Sequence, residues 1–233
     1  MATQQEQSVI RLREMILNGG LPAGCRVTET AVADQLQLSR TPVRYALTVL
    51  EQEGLLTRLD NKRGYVVSRF SADDVRGAIE VRGVLEGLAA RMLAEQGAGD
   101  ALRQDLRSCL EEGDAIFAKG WLEEGDLERY AAMNAGFHRL IVEASRNHPL
   151  GHILAINGSI PFAHAGSFAF RRADLGHQYR ILNYAHMQHH AIVGAILDGE
   201  AGRAEALMRE HANVSRDSLE LSGADALQPE GSP

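Results

Sequence analysis

The apolar residues that follow Ser71 recur at helical spacing, and this periodicity restricts the fold more than any other feature of the chain. The first such segment starts at Ser71-Ala-Asp-Asp74, a sequence typical of a helix N-terminus, and stops at Gly97-Ala-Gly99. Further helices are predicted over residues 100–119, 122–145, 149–169, 174–198 and 200–222, and Pro161 is expected to kink or end the helix in which it lies. No part of this region alternates as a strand does, so we predict an all-α antiparallel helical bundle.

The region before Ser71 has a different pattern, which predicts three short helices and a β-hairpin. The helices are expected over residues 9–17, 29–36 and 39–53. Ser39 is a suitable N-cap for the third helix, Pro42 falls in its first turn and Gly54 ends it. Two strands are expected over residues 55–58 and 64–68. Two helices joined by a tight turn and followed by a hairpin form a winged helix-turn-helix, so the whole chain is predicted to be mainly α.

Charge and histidine content also separate the two regions. Residues 1–70 hold nine Lys/Arg against seven Asp/Glu, whereas residues 71–233 hold fifteen against twenty-four. All nine histidines lie at or after His138. We therefore predict a winged domain over residues 1–70 and a helical domain over residues 71–222. Residues 223–233 are polar and contain Pro and Gly, which predicts a disordered tail.

Composition excludes several classes of protein. No stretch reaches the roughly 18–20 uninterrupted apolar residues of a membrane helix, and residues 1–15 lack the apolar core of a signal peptide. Cys25 and Cys109 are the only cysteines, which excludes a disulfide framework and favours a reducing cytoplasm. Aromatic residues make up only 5%, which argues against an all-β sandwich. We therefore expect a cytoplasmic protein without a membrane segment.

The predicted third helix carries residues suited to DNA contact at its N-terminal end, namely Ser39, Arg40, Thr41 and Arg44. An arginine in the major groove can pair through two hydrogen bonds with guanine O6 and N7, and Arg40 and Arg44 share a helix face because they are four residues apart. At the hairpin tip, Lys62 and Arg63 can reach phosphate or the minor groove, and Gly64 allows close backbone approach. The same spacing also fits a small helical domain with solvated arginines.

Three motifs occupy this region: Ile16-Leu-x-Gly-x-Leu-Pro-x-Gly24, Leu38-Ser-Arg-Thr-Pro-Val-Arg44 and Lys62-Arg-Gly-Tyr-Val66. Together they resemble the GntR family of bacterial transcriptional regulators, and the resemblance covers nearly the whole of residues 9–67. It implies that the DNA contacts are Ser39, Arg40, Thr41, Arg44 and Gly64. Glu29 also matches the family pattern, and as an acidic residue it is expected to orient an arginine rather than touch DNA.

Four polar residues of the helical domain have a spacing that suits a metal ion. Asn134 and His138 lie one turn apart on one helix face. His189 and His211 lie ten residues before and twelve residues after Gly199, so on antiparallel helices they are level with each other. Three imidazoles and an amide oxygen can hold a divalent transition ion with open positions. The alternative is that His138 or His189 is a hydrogen-bonded core histidine.

Other polar residues of the domain allow more than one interpretation. His186 lies three residues before one of these histidines and is an alternative ligand, whereas His190 is expected to face away. Surface or structural roles are expected for His148, His152, His164 and His177. Arg82, in an otherwise apolar helix, either clamps an effector carboxylate or forms an i,i+4 salt bridge with Glu86. Asn157, inside an apolar run, is a second candidate for an effector pocket.

The helical region contains the motifs Asp74-Val-x-x-Ala-Ile-Glu-Val-Arg82, Phe137-His-Arg-Leu-Ile-Val-Glu-Ala-Ser-x-Asn147 and Gly199-Glu-x-x-x-Ala-x-x-Leu-Met-x-x-His211. They resemble the FCD domain, the all-α effector domain of the FadR-type branch of GntR regulators. In that domain an aspartate and three histidines usually hold the metal, so the resemblance implies a site at Asn134, His138, His189 and His211. Asn134 stands where the family has the aspartate. A neutral amide binds a cation more weakly, which implies easily lost zinc (or nickel or manganese) and a site better suited to an anionic effector.

These features together predict a ligand-responsive, dimeric bacterial transcriptional regulator, acting as a repressor, that binds an inverted-repeat operator in double-stranded DNA. Its helical domain is expected to form the homodimer and to sense a small carboxylate metabolite near the metal. Two alternatives stay open: the metal itself is the signal, or the three-histidine site makes the chain a metalloenzyme. Against the enzyme, no carboxylate has a spacing that places a general base beside the metal, and the DNA-binding domain would have no role.

Overall fold

The computed structural model describes residues 4–17, 20–59, 64–158, 160 and 175–221. Within these ranges, residues up to Ser71 belong to one compact unit, and residues 72–158 and 175–221 form another. Most of the described chain is helical and only one small sheet is present in it, as the periodicity predicts.

The N-terminal unit packs three helices against the sheet. The helices are α1 (Gln4–Leu17), α2 (Glu29–Leu36) and α3 (Arg40–Gln52). The strands β1 (Arg26–Val27), β2 (Leu56–Arg58) and β3 (Tyr65–Val67) are antiparallel, in the order β1-β3-β2. Buried apolar side chains hold the unit together, among them Leu12, Val43, Leu47, Leu50 and Leu55. The predicted winged helix-turn-helix is confirmed, with α2 and α3 as its helix pair and β2 and β3 as its wing.

Strand β1 has no counterpart in the prediction. It contains two residues, too few for a periodicity, and it forms because Arg26 pairs with Val66 and Val27 pairs with Tyr65. Gly64 makes this pairing possible, since its φ is +119° and a Cβ there would lie 2.7 Å from the carbonyl oxygen of Val27. The fold itself therefore requires glycine at this position.

The second unit is an antiparallel bundle of long helices. They are α4 (Ala72–Gln96), α5 (Asp100–Phe117), α6 (Glu124–Ala144), α7 (His148–Asn157), α8 (Leu175–Leu197) and α9 (Ala201–Leu221). Two glycines of α4 allow close contact with α9: a Cβ on Gly83 would lie 2.8 Å from the Cβ of Ala212, and one on Gly87 would lie 2.7 Å from Cγ of Arg209. The core between the helices consists of buried apolar residues such as Ala89, Leu93, Phe137, Ile141 and Ile192.

The helix predicted over residues 149–169 is wrong in its extent, because α7 ends at Asn157 with Gly158 as its C-cap. Gly158 and Ser159 are weak helix formers, and Pro161 cannot supply the N–H that a continuing helix needs. Residues 161–174 and the predicted tail, residues 223–233, lie outside the described residues. Among the described helices, none combines the length and the apolar character needed to span a lipid bilayer.

Candidate functional site

The N-terminal end of α3 presents the residues predicted to contact DNA. Ser39 occupies the N-cap, and all four of these residues are exposed: Ser39, Arg40, Thr41 and Arg44. The Ser39 side chain makes no capping hydrogen bond. Pro42, at the third helical position, lacks the N–H that commonly donates to a serine cap. Ser39 is therefore exposed without capping the helix through its hydroxyl. Arg63 lies outside the described residues.

Glu29, at the start of α2, holds the guanidinium of Arg44 through two hydrogen bonds. Arg44 Nε donates to Glu29 Oε1 and Arg44 Nη2 donates to Glu29 Oε2, each at 2.9 Å. The hydrogen bond from Arg44 lowers the pKa of Glu29. The predicted contact between Glu29 and an arginine is thus confirmed. Because the side chain of Arg44 is 65% exposed, the pair adds little to stability, but it fixes the direction of the guanidinium.

Another arginine of the wing was not singled out from the sequence. Arg58, on β2, donates from Nη2 to the hydroxyl of Tyr65 at 2.7 Å, and its guanidinium lies over the Tyr65 ring, 5.3 Å from the centroid. Its Nε lies 3.5 Å from Glu51 Oε2. From the sequence, Arg58 could have been noticed as an outward-facing basic residue at the end of the first wing strand.

Three histidines of the helical unit meet in its interior. His138 comes from α6, His189 from α8 and His211 from α9, and their ligand nitrogens lie within 4.8 Å of one another. The Nε2 atoms of His189 and His211 are 3.0 Å apart. All three residues are at most 4% exposed. The spacing argument therefore placed these side chains correctly, while their role as ligands stays a prediction.

Hydrogen bonds determine which nitrogen carries the proton in two of these rings. His138 Nδ1 lies 2.9 Å from Glu86 Oε2, and His211 Nδ1 lies 2.9 Å from Gln188 Oε1. Both oxygens are acceptors, so each Nδ1 donates, and in a neutral ring each Nε2 keeps its lone pair. Hydrogen bonds of this kind, from the nitrogen that does not bind metal, are typical of metal-ligating histidines.

Burial favours the neutral form of His189 and His211. It lowers the pKa of His189 far below the ordinary value, and the neighbouring His211 and His138 lower it further. Burial likewise lowers the pKa of His211, with smaller contributions from His138 and Arg82. Neutral imidazole is the form that binds a transition metal. The donor set therefore fits an ion such as zinc.

Asn134 lies one turn before His138 on α6 and is 1% exposed, so its amide is buried on the helix face that carries His138. The carboxylate that contacts the histidine group is instead Glu86 of α4, considered from the sequence only as a partner for Arg82. It lies on the Nδ1 side of His138 and orients that ring. Local spacing on α4 could not reveal this contact, because it joins residues 52 positions apart.

A cavity of about 610 Å³ lies beside the histidine group, and its lining includes Arg82, His138 and Asn157. Arg82 is 3% exposed; its Nη2 donates to Ser215 Oγ at 2.9 Å, and its Nε lies 3.6 Å from Glu86 Oε2. The salt bridge predicted for Arg82 is present, and the same side chain lines the cavity, so its two interpretations are compatible. Asn157 Nδ2 donates to a backbone carbonyl of α4 at 2.9 Å, which fixes α7 against that helix.

His186 does not join the three buried histidines, so its interpretation as an alternative ligand there is wrong. Its Nε2 lies 3.0 Å from Asp114 Oδ1, because this ring is turned towards α5. His190 faces away from the buried histidines, as predicted, and also contacts Asp114. His148 and His152 are exposed, His177 is half-buried, and His164 lies outside the described residues.

Comparisons with known proteins cover both units. The family model described as "FCD domain" matches residues 78–214, and the one described as "Bacterial regulatory proteins, gntR family" matches residues 4–66. The uncharacterized HTH-type transcriptional regulator YdhC of Bacillus subtilis is 31% identical over 88% of this chain and 75% of its own. A probable D-xylose utilization operon transcriptional repressor of Paenarthrobacter nicotinovorans is 31% identical over 84% of this chain and 80% of its own. The solved structure of E. coli McbR/YncC has a TM-score of 0.68 at 19% identity, over 95% of this chain and 98% of that one, a likeness of fold.

Proposed function

Since this chain belongs to the GntR family of bacterial regulatory proteins and contains an FCD domain, we propose that it is a dimeric, ligand-responsive repressor that binds an inverted-repeat operator in double-stranded DNA. The family and the named relatives are DNA-binding transcriptional regulators and not enzymes. We also propose that a small carboxylate metabolite controls DNA binding in the bacterial cytoplasm. The observation that supports it is a cavity whose lining includes both Arg82 and His138.

For DNA recognition, we propose that α3 enters the major groove with its N-terminal end leading. Arg40 and Arg44 are four residues apart on one helix face, so one can read a guanine while the other binds a base or a phosphate. Hydroxyl groups at the same end suit phosphate oxygens. The proposed contacts are Ser39, Arg40, Thr41, Arg44, Arg63 and Gly64.

An apolar stripe on α4 supports the proposed homodimer. Val81, Val84 and Leu88 are 45%, 44% and 38% exposed, and their spacing of three and four residues places them on one helix face. A second copy of the chain would bury this stripe in a two-fold interface. Two-fold pairing also relates two α3 helices by symmetry, which is why we propose that the operator is an inverted repeat.

We further propose that His138, His189 and His211, with the amide oxygen of Asn134, hold a divalent transition metal, zinc in preference to nickel or manganese. In His138 and His211, Nδ1 donates to an acceptor oxygen, which leaves Nε2 of the neutral ring for such an ion. When bound, the ion supplies a Lewis-acidic positive charge that attracts a carboxylate. The amide adds no negative charge, so we expect the ion to be lost easily and the site to keep its full positive charge.

Arg82 is the second cation on the same cavity. A guanidinium binds a carboxylate through two parallel hydrogen bonds, and such bonds are strong because both groups are charged. A cavity of about 610 Å³ falls within the range of small-molecule sites. We propose that the effector is an organic acid held between Arg82 and the metal, with Asn157 supplying an additional polar contact.

A thermal-shift screen of small organic acids tests this proposal. The protein is stripped with EDTA, and one half is reloaded with zinc. An acid at 100 times its Kd should raise the free energy of unfolding of the zinc-loaded protein by about 2.7 kcal/mol, whereas its methyl ester should not. The shift should disappear in Arg82→Gln and persist in the control Arg107→Gln, which changes an exposed residue of α5. Equal binding of acid and ester, or equal shifts with and without zinc, would contradict the proposed pocket.

A further inference from the structure

A second group of side chains able to bind a metal lies between α5 and α8 and shares no residue with the group of His138, His189 and His211. Asp114 comes from α5, and His186 and His190 lie one turn apart on one face of α8. Asp114 Oδ1 is 3.0 Å from His186 Nε2 and 2.9 Å from His190 Nε2. One carboxylate oxygen and two imidazole nitrogens therefore converge on one small volume.

The packing around His186 fixes this ring in place. Its side chain is 2% exposed and stacks on Phe117, with 5.6 Å between the ring centroids. The ring also lies directly against the α5 backbone at Gly113, where a Cβ would be 2.1 Å from His186 Cε1. Any side chain at position 113 would push the imidazole off α5, so the glycine lets His186 reach Asp114.

The other two members of the group are open to solvent. The side chains of Asp114 and His190 are 56% and 37% exposed. An ion can therefore reach them without any opening of the bundle, in contrast to the buried histidines. One immobile imidazole and two accessible ligands form a preorganised surface site.

From this geometry we infer that Asp114, His186 and His190 form a second site for a divalent transition metal, with zinc as the preferred ion. Zinc binds imidazole nitrogen and carboxylate oxygen at about 2.0–2.2 Å, whereas calcium and magnesium prefer sites built from oxygen alone. Three protein ligands leave room for water on the exposed side. The ion replaces the two hydrogen bonds to Asp114. In each neutral imidazole the proton that Nε2 donates to Asp114 moves to Nδ1, which leaves the Nε2 lone pair for the ion, so no net proton is released.

Zinc counting on the full chain tests this inference. EDTA-stripped protein is titrated with zinc alone in a calorimeter, and the bound metal is counted by elemental analysis after dialysis against a zinc buffer. We expect two ions per wild-type chain. Asp114→Asn and His190→Ala should each weaken one of the two binding events at least tenfold and leave the other unchanged. His152→Ala, which removes an exposed histidine of α7, is the matched control and should keep both.

His211→Ala separates the new site from the buried one. It should remove one ion and retain the ion that Asp114→Asn removes, because the two ligand sets share no residue. Circular dichroism of each variant verifies that the helices are intact. Wild-type stoichiometry and affinity in both Asp114→Asn and His190→Ala would overturn the inference and leave the group as a hydrogen-bonded link between α5 and α8. Unchanged binding in His211→Ala alone would count against the buried site and leave this one standing.

Discussion

At the scale of single residues, the proposed DNA recognition can be tested at Arg44, whose guanidinium is held by Glu29. Arg44→Ala should weaken binding to DNA selected from a random duplex library by about five- to 150-fold, the range for one lost bidentate base contact. The fold should survive, since this side chain is 65% exposed. Glu29→Gln should cause a smaller loss, because it weakens only the orienting contact. Fluorescence anisotropy at fixed salt measures both, with Arg107→Ala as control; wild-type affinity in Arg44→Ala would remove this residue from the recognition surface.

The proposed retention of an ion by His138, His189 and His211 should depend on Asn134. Asn134→Asp should raise zinc affinity at least tenfold, because a carboxylate adds negative charge beside three neutral imidazoles. The same change should weaken an anionic effector by reducing the positive charge of the site. His138→Ala and His189→Ala should each lose the ion. Zinc competition against a chelator of known affinity measures the change, and unchanged zinc content in both histidine variants would mean that these histidines are structural.

Residue positions set by local spacing could be predicted from the sequence, whereas partners across the bundle could not. Asn134 and His138 share a face because they are four residues apart on one helix. The contacts of Glu86 with His138 and of Asp114 with His186 form only because α4 packs on α6 and α5 packs on α8. Spacing within one helix does not predict such contacts. His186 shows the same limit, since its distance along α8 suited the buried group and its contact with α5 decided otherwise.

At the scale of secondary-structure elements, long periodic segments were predictable and short or interrupted ones were not. The bounds predicted for α2, residues 29–36, are those observed. Strand β1 has only two residues and forms through pairing with β3, so no local sequence pattern predicts it. Hydrophobic spacing extended α7 too far, and the end expected at Pro161 lies beyond the observed end at Asn157.

The packing of α4 on α9 gives a test at this scale. Gly83→Ala should lower the free energy of unfolding by about 1–3 kcal/mol through overpacking, because its Cβ would lie 2.8 Å from the Cβ of Ala212. Gly77→Ala is the matched control on the same helix, with nothing within 4 Å of a Cβ there. It should raise stability by up to about 1 kcal/mol through helix propensity. Urea denaturation followed by circular dichroism compares the two variants. Equal effects would show that the contact between α4 and α9 accommodates an added methyl group at position 83.

At the scale of the whole molecule, DNA affinity should depend on dimer formation. A charge in the exposed stripe of α4, as in Val84→Glu, should produce monomers at micromolar concentration and weaken operator binding, since each monomer then contacts one half-site. Ile153→Glu, at an equally exposed apolar position of α7, should stay dimeric. Analytical ultracentrifugation measures the state of each. A monomeric wild type that binds one chain per operator would contradict the dimer.

At the same scale, the proposed coupling between effector, metal and DNA can be measured through the affinities that it links. If an organic acid lowers operator affinity by some factor, the operator must lower the affinity for the acid by the same factor. We expect this reciprocal effect with zinc-loaded protein and its loss after EDTA treatment, because the proposed carboxylate contact requires the ion. EDTA alone should leave operator affinity unchanged, since an ion that only helps to hold the effector does not favour either DNA-binding state without it. Titrations of acid with and without operator, each with zinc or EDTA, measure all four affinities. A change in operator affinity on adding or removing zinc, with no acid present, would instead make the metal the signal.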